Sequence, residues 1–107
     1  MINIKVILNS KEQIKKIKID GHADYDIFGQ DIVCASASTL LISSINHILS
    51  LDRESILYSD DGKVVTIKVL KNNENSLKIL NNMVKMFQQL CDSYPNHIKI
   101  EKIFDKE

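Results

Sequence analysis

The sequence contains few of the residues that brace a small fold covalently. Among 107 residues there are two cysteines, one proline, three glycines and no tryptophan. Cys34 and Cys91 have neither the Cys-x-x-Cys spacing nor the nearby histidine pair of a zinc site, and a disulfide is not expected in a reducing compartment. A chain of this length can bury a core without metal or disulfides. We therefore expect a single domain over residues 1–107.

The chain also lacks an excess of charge of either sign. Fourteen basic residues balance fourteen acidic ones, so the formal net charge is zero. This balance argues against a general nucleic-acid binder or a protein held electrostatically at a membrane, although a local basic patch is left open. The N-terminus has no signal-peptide pattern, and no apolar run approaches a membrane span. We expect a cytoplasmic protein with no membrane partner and no direct nucleic-acid partner.

Hydrophobic periodicity predicts seven secondary-structure elements. Alternating apolar residues indicate strands and a period near 3.6 indicates helices. The turn Asp60-Asp61-Gly62 predicts a hairpin, and Pro95 follows the end of the second helix. The predicted strands cover 2–8, 14–20, 55–59, 63–70 and 98–104, and the predicted helices cover 32–49 and 77–93. The order ββαββαβ predicts an α+β fold, a mostly antiparallel sheet with two helices packed on it.

Two local patterns refine this prediction. Ile14 and Ile17 break the alternation of the second strand, and a β-bulge near Lys15-Lys16 would restore it. The first helix has an apolar face and an opposite polar face that we expect in solvent. The apolar face comprises Cys34, Ser38, Leu41, Ile45 and Ile48, and the polar face comprises Ser36, Thr39, Ser43, Asn46 and Ser50.

The stretch GHADYDIFGQDIVCAS, residues 21–36, holds the chemistry-bearing residues. It places His22 at the end of the second strand and Cys34 in the first turn of the first helix, after Asp31 as the predicted N-cap. The positive end of a helix favours a thiolate, and a neighbouring histidine activates it as a nucleophile. The N–H groups of that first turn, including that of Cys34, could also stabilise an oxyanion.

The loop between the histidine and the cysteine must fold back if the two are to meet. Gly21 and Gly29 lie near its ends, where unusual backbone angles are needed. Tyr25 and Phe28 are apolar residues within it. They could contact an apolar peptide, or they could pack the loop onto the core.

Structural interpretations stay open for the same residues. A single cysteine on an apolar helix face is more often a small core residue than a nucleophile. His22 could bond to a turn, Asp31 could act only as a cap, and Ser38 could bond back to a helix carbonyl. The remaining cysteine and histidines have no partner signal: we expect Cys91 in the core and His47 and His97 on the surface.

The motif as a whole resembles a known family. Gly21-His22-Ala23, then Gly29, then Asp31-Ile32-Val33-Cys34-Ala35, then Ser38 resembles the signature of the ribosomal-processing cysteine protease family Prp. The resemblance implies a cytoplasmic, homodimeric bacterial endopeptidase. Such enzymes remove a short N-terminal extension from a large-subunit ribosomal protein, after a hydrophobic stretch ending in paired phenylalanines.

The resemblance also implies roles for individual residues. Cys34 would be the nucleophile, His22 the general base, and Asp31 and Ser38 supporting residues near the pair. The glycine-flanked loop would be a flexible cover at the substrate site; the residues concerned are Gly21, Tyr25, Phe28 and Gly29.

We therefore expect a cysteine endopeptidase that uses a Cys-His dyad and no metal or organic cofactor. Its substrate partner would be a ribosomal protein precursor. The alternative is a non-enzymatic, ribosome-associated or peptide-binding module, in which a sheet edge and the Tyr25/Phe28 loop capture a peptide and Cys34 only packs. A metal hydrolase ranks third, because no cluster of ligands has the required spacing.

Overall fold

The protein forms a five-stranded sheet and two long helices in the predicted order. The structure, a computed structural model, describes residues 1–27 and 30–105. The strands are β1 (Ile2–Leu8), β2 (Ile14–Asp20), β3 (Ile56–Asp60), β4 (Val64–Val69) and β5 (Ile98–Phe104), and the helices are α1 (Ile32–Leu51) and α2 (Glu74–Ser93). The α+β class and the order ββαββαβ are confirmed.

The sheet has the strand order β3-β4-β2-β1-β5. Its pairs are antiparallel except β1 with β5, which run parallel because α2 carries the chain back along the sheet before β5 begins. Asn3 pairs with Asp20, and Ile2 pairs with Ile98. The end of β2 therefore lies near the starts of β1 and β5. These strand ends support the histidine of the motif.

The predicted bulge in β2 is present. Ile7 pairs with Lys16 while Leu8 pairs with Ile14, so Lys15 is the extra residue. The shift turns both Ile14 and Ile17 into the core, where they are 3% and 0% exposed. The core thus fixes the register of a strand whose sequence alternates imperfectly.

Helix α1 lies on the sheet with a slightly different face from the one predicted. Its buried residues are Val33, Ala37, Leu41, Ile45 and Ile48. The assignment of Ser38 to the buried face is wrong, because Ser38 is exposed and Cys34 is only half-buried. Ala37 and Ser38 are both small, so hydrophobicity differs little between the two sides of α1 in its first turns. The sequence pattern therefore does not show which of these two residues faces the core.

Helix α2 is strongly amphipathic and completes the core. Asn73 caps its N-terminus by accepting from the backbone N–H groups of Asn75 and Ser76. Its buried face packs against α1 and the sheet through Leu80, Met83, Val84 and Phe87. The two helices together cover one face of the sheet and leave the other face open.

Helix α1 qualifies one expectation from the sequence. By length and composition alone it could cross a membrane, with 20 residues and a mean hydropathy of 1.6, so the expectation that no apolar segment reaches that length is wrong. In this fold its apolar stripe packs on α2 and the sheet, as in the core helix of a globular protein.

Candidate active site

A tight turn after β2 positions His22. Gly21 has a φ of +85°, and a Cβ at this position would overlap the carbonyl oxygen of Met1. Only glycine satisfies both the left-handed backbone and the close approach. The turn takes the chain off the sheet and leaves His22 exposed, two positions after Asp20, the last paired residue of β2.

Asp31 joins the loop to α1. Its Oδ1 accepts a hydrogen bond from the backbone N–H of Cys34 at 2.9 Å, and its Oδ2 accepts one from the N–H of Tyr25 at 3.0 Å. Partial desolvation raises the pKa of Asp31, but the backbone donors, first those of Cys34 and Tyr25, outweigh it and leave the pKa below the usual carboxyl value. Asp31 is thus the predicted N-cap and also an anchor of the loop, and no hydrogen bond joins it to His22 within residues 1–27 and 30–105.

Cys34 is the third residue of α1. Its side chain is half-buried and packs against the edge of the core. Because its N–H already donates to Asp31, it would have to leave that carboxylate before it could stabilise an oxyanion. The signal was in the sequence, since an N-cap aspartate ordinarily takes the N–H of the second or third helical residue.

Cys34 and His22 line one cavity of about 460 Å³, bounded by the start of α1, the end of β2 and the β3–β4 turn. Its inner wall is apolar and its rim is polar. The apolar lining residues are Ile2, Ile19, Ala37, Leu41, Val65 and Phe87, and the polar ones are Asp20, His22, Cys34, Ser38, Asp60 and Lys63. The structure thus brings Cys34, His22 and Ser38 to the same cavity and also places Gly21 in its wall.

Three aromatic residues, Tyr25, Tyr94 and His97, hold the loop after His22; we call them the aromatic clamp. The Tyr25 ring lies edge-on to Tyr94 at 5.3 Å and to His97 at 5.2 Å between centroids. His97 Nδ1 is 2.9 Å from the carbonyl oxygen of Ala23, and because a carbonyl only accepts, Nδ1 carries the proton. Tyr25 therefore packs on the α2–β5 junction, although its side chain is still 43% exposed.

His97 is the site-supporting residue that sequence reasoning missed. We expected it on the surface, but it is half-buried and its contacts to Ala23 and Tyr25 span more than 70 positions of the chain. Such a contact depends on tertiary packing, and no local pattern signals it. Cys91 packs against the core as expected, and its Sγ–H donates to the Ile98 carbonyl at 3.2 Å.

The candidate dyad is open in this conformation. Within the residues that the structure describes, no hydrogen bond joins the Cys34 thiol to the His22 imidazole. The predicted substrate-loop residues Phe28 and Gly29 lie outside the described residues. A thiol and an imidazole on one cavity with an apolar wall are nevertheless the components of nucleophilic attack on an apolar peptide.

Known proteins match this chain over nearly its whole length. The family model for cysteine protease Prp matches residues 1–99. The ribosomal processing cysteine protease Prp of Staphylococcus aureus is 35% identical over 103 residues, which cover 94% of this chain and 97% of that protein.

Solved structures give the same result. The crystal structure of Prp from S. aureus with a covalently linked product peptide has a TM-score of 0.87 and 33% identity, covering 95% of this chain and 99% of that one. The S. aureus Prp complex with a substrate peptide has a TM-score of 0.84 and 30% identity, with the same coverage. These matches overturn the alternative of a non-enzymatic module. The chain belongs to the cysteine protease Prp family and is a cysteine protease.

Proposed function

We propose that this protease uses Cys34 as its nucleophile and His22 as its general base. The observation that carries the proposal is that the two side chains line one cavity, with Cys34 in the first turn of α1. The second cysteine is a poor candidate, because Cys91 bonds to the Ile98 carbonyl and lies away from that cavity. The positive end of α1 stabilises negative charge on the Cys34 sulfur.

The reaction divides into two steps. The His22 imidazole takes the thiol proton as the Cys34 sulfur forms a bond to the scissile carbonyl carbon, and the imidazolium then protonates the leaving amine as the C–N bond breaks. Water, deprotonated by His22, next attacks the thioester, releasing the carboxylate product and restoring the thiol. The imidazole must approach the thiol before the first step, because the pair is not hydrogen-bonded in this conformation.

Asp31 and Ser38 support this pair in different ways. Asp31 fixes the start of α1 and ties it to Tyr25, so it holds the Cys34 backbone in place. Ser38 lies one turn after Cys34 and lines the same cavity, where its hydroxyl is available to the peptide. The oxyanion donor is then an N–H or hydroxyl group other than the Cys34 N–H, or the Cys34 N–H after it leaves Asp31.

The substrate is the hydrophobic N-terminal extension of a large-subunit ribosomal protein precursor. The apolar cavity wall of Ile19, Leu41, Val65 and Phe87 suits large apolar side chains such as the paired phenylalanines expected before the cut. The S. aureus relative is named for ribosomal processing and has been crystallised with substrate and product peptides, which supports this assignment.

The enzyme acts as a homodimer in the cytoplasm. Both cysteines are free thiols, which fits a reducing compartment. Along the outer side of α1, Ile32 and Ile42 are 54% and 46% exposed beside small side chains, and such a face is suited to a second copy of the chain. This proposal replaces the solvent-facing role expected for that side of the helix. Analytical ultracentrifugation of the wild type and Ile42→Glu tests it, and an equally dimeric variant would exclude the α1 face.

Cleavage of a synthetic peptide tests the dyad directly. The peptide carries a hydrophobic extension ending in Phe-Phe, and cleavage is followed by mass spectrometry with Cys34→Ala, His22→Ala and Cys91→Ala. We expect both dyad variants to lose at least about 1,000-fold in kcat/KM, since a nucleophile and its base act as a unit. Cys91→Ala is the matched control and should cleave normally. Retained cleavage by Cys34→Ala would remove the mechanism.

A further inference from the structure

The open face of the sheet carries a block of lysines that the zero net charge of the chain conceals. Residues facing away from the helices alternate with the buried ones along each strand. The lysines on this face are Lys5, Lys16, Lys18, Lys68 and Lys99, and the only carboxylates among its described strand residues are Asp20 and Glu101. The remainder of the chain therefore carries the compensating negative charge.

Four of these residues, Lys5, Lys16, Lys18 and Lys68, form one contiguous group, which we call the lysine block. Lys5 pairs directly with Lys18 across β1 and β2, and Lys16 pairs directly with Lys68 across β2 and β4. Lys16 and Lys18 lie two residues apart on one strand, about 7 Å by strand geometry, and directly paired side chains are about 5 Å apart. The four ammonium groups thus occupy adjacent positions near the centre of the sheet.

This arrangement costs stability in the isolated protein. Like charges placed directly opposite on neighbouring strands repel each other. Within the described residues none of the four lysines forms an ion pair, and Asp20, the carboxylate at the corner of the block, accepts instead from Asn3. Glu101 pairs with Lys5 in register on the parallel strand and so faces one lysine of the four. The fold gains nothing from the remaining repulsion, whereas an anionic partner would relieve it.

We propose that the lysine block is a docking surface for the phosphate backbone of RNA. Lysines are mobile point charges suited to phosphates, and several of them side by side suit a run of phosphates better than a single anion. None of the described strand residues on this face is aromatic, so the face offers no stacking platform for bases. Binding is therefore independent of RNA sequence.

The position of the block lets docking and cleavage occur together. The cavity with Cys34 and His22 is walled by α1 and the helix-covered side of the sheet, whereas the lysine block lies on the open side; Asp20, at the end of β2, borders both. An enzyme docked on RNA thus keeps its cavity free for a peptide. The choice of RNA over other phosphate polymers rests on the proposed function, since a ribosomal-protein precursor meets RNA during ribosome assembly.

Fluorescence anisotropy with a labelled RNA duplex of about 20 base pairs tests the proposal. Four phosphate contacts predict a slope of about −3.5 in a plot of log K against log[salt], so affinity should fall about 100-fold between roughly 50 and 200 mM KCl. The triple variant Lys5→Gln, Lys18→Gln, Lys68→Gln should bind at least about 10-fold more weakly, with the slope reduced in magnitude by about 3. Two RNA duplexes of unrelated sequence should bind equally.

A second triple variant controls for net charge. Lys11→Gln, Lys78→Gln, Lys85→Gln removes the same charge from the β1–β2 turn and from α2, and it should weaken RNA binding less than about 3-fold. Equal losses in the two triple variants would overturn the proposal. So would binding to vesicles of phosphatidylcholine and phosphatidylserine that is as tight as RNA binding and is lost in the same variant.

Cleavage of the short Phe-Phe peptide separates this proposal from the proposed function. The lysine-block variant should cleave that peptide at the wild-type rate and unfold at a urea concentration no lower than wild type, because like-charge pairs have been removed. RNA binding by Cys34→Ala should match the wild type even though cleavage is lost. Failure of the dyad and failure of the docking surface therefore give different results.

Discussion

Replacing Gly21 with alanine should damage both the stability and the activity of the protein, and Gly62→Ala provides a matched comparison. The two glycines have nearly the same backbone, with φ of +85° and +88°. They differ in surroundings: a Cβ at Gly21 would overlap the Met1 carbonyl oxygen and lie 3.3 Å from the Met1 carbonyl carbon. A Cβ at Gly62 would meet no atom of the described residues within 4 Å, apart from Gly62 and its two chain neighbours. The difference between the variants therefore isolates the close contact.

The expected magnitudes follow from these two terms. Holding alanine in the left-handed region costs about 1–2 kcal/mol, and both variants carry this cost. Overlap with backbone atoms adds about 1–3 kcal/mol at Gly21. Neither the segment at Met1 nor the segment at Gly21 can move without disturbing a hydrogen bond between β-strands or the turn itself. We expect Gly62→Ala to lose about 1–2 kcal/mol and Gly21→Ala about 2–5 kcal/mol in the free energy of unfolding.

Urea denaturation measures the stability difference, and peptide cleavage measures its effect on the site. Relief of the overlap must shift the turn that carries His22, so kcat for Gly21→Ala should fall at least about 10-fold under conditions where the variant is fully folded. A Gly21→Ala variant that loses no more stability than Gly62→Ala would show that the chain absorbs the Cβ and that the close contact does not position His22.

Three further perturbations test the supports of the site and the core. Asp31→Asn should destabilise the protein at neutral pH. Because the pKa of Asp31 is lowered in the folded state, its carboxylate stabilises the fold above about pH 4, and this stabilisation is lost as the pH falls through the folded-state pKa. The difference in urea midpoint between variant and wild type should therefore shrink toward about pH 3. His97→Leu should lower kcat on the Phe-Phe peptide about 3–10-fold by freeing the Ala23 carbonyl, and His97→Gln, which can still donate, should recover part of the loss; equal defects would assign His97 a packing role only. Ser76→Ala should raise the urea midpoint by the equivalent of about 1 kcal/mol, because the Ser76 hydroxyl is buried with no partner within the described residues, and a lower midpoint would indicate an unrecognised bond.

The fold was largely predictable because its local signals agree with the tertiary structure. Asp31 is the N-cap, the Asp60-Asp61-Gly62 turn joins an antiparallel hairpin, and Ile14 with Ile17 requires the bulge that is present. The parallel pairing of β1 with β5 could not be predicted from local signals. The two strands lie at opposite ends of the chain, and the packing of α2 brings them together. Periodicity locates such strands but does not say which neighbours they take.

The candidate site likewise combines features that local sequence predicts with features that depend on tertiary packing. The His22–loop–Cys34 segment is local, so its position between β2 and α1 could be predicted from spacing. The aromatic clamp depends on Tyr94 and His97, which approach Tyr25 only after α2 and β5 have packed. The bond from the Cys34 N–H to Asp31 was implied by the predicted cap, but the same N–H was also assigned to the oxyanion. The rule for N-caps and the rule for oxyanion sites were applied separately, so the Cys34 N–H was assigned both to the Asp31 carboxylate and to the oxyanion.

The geometry of the reacting pair is controlled by the two ends of the loop. His22 follows Gly21, which is held against the first residue of the chain, and Cys34 lies within one turn of Asp31, which caps a helix packed on the core. Changes at these ends should therefore alter kcat and stability together. Exposed positions in the middle of the loop, such as Asp26 and Ile27, belong neither to a paired strand nor to the buried core. Substitutions there should act mainly on KM. Tyr25 is the exception, because its ring is held by the α2–β5 junction and so connects the middle of the loop to the folded core.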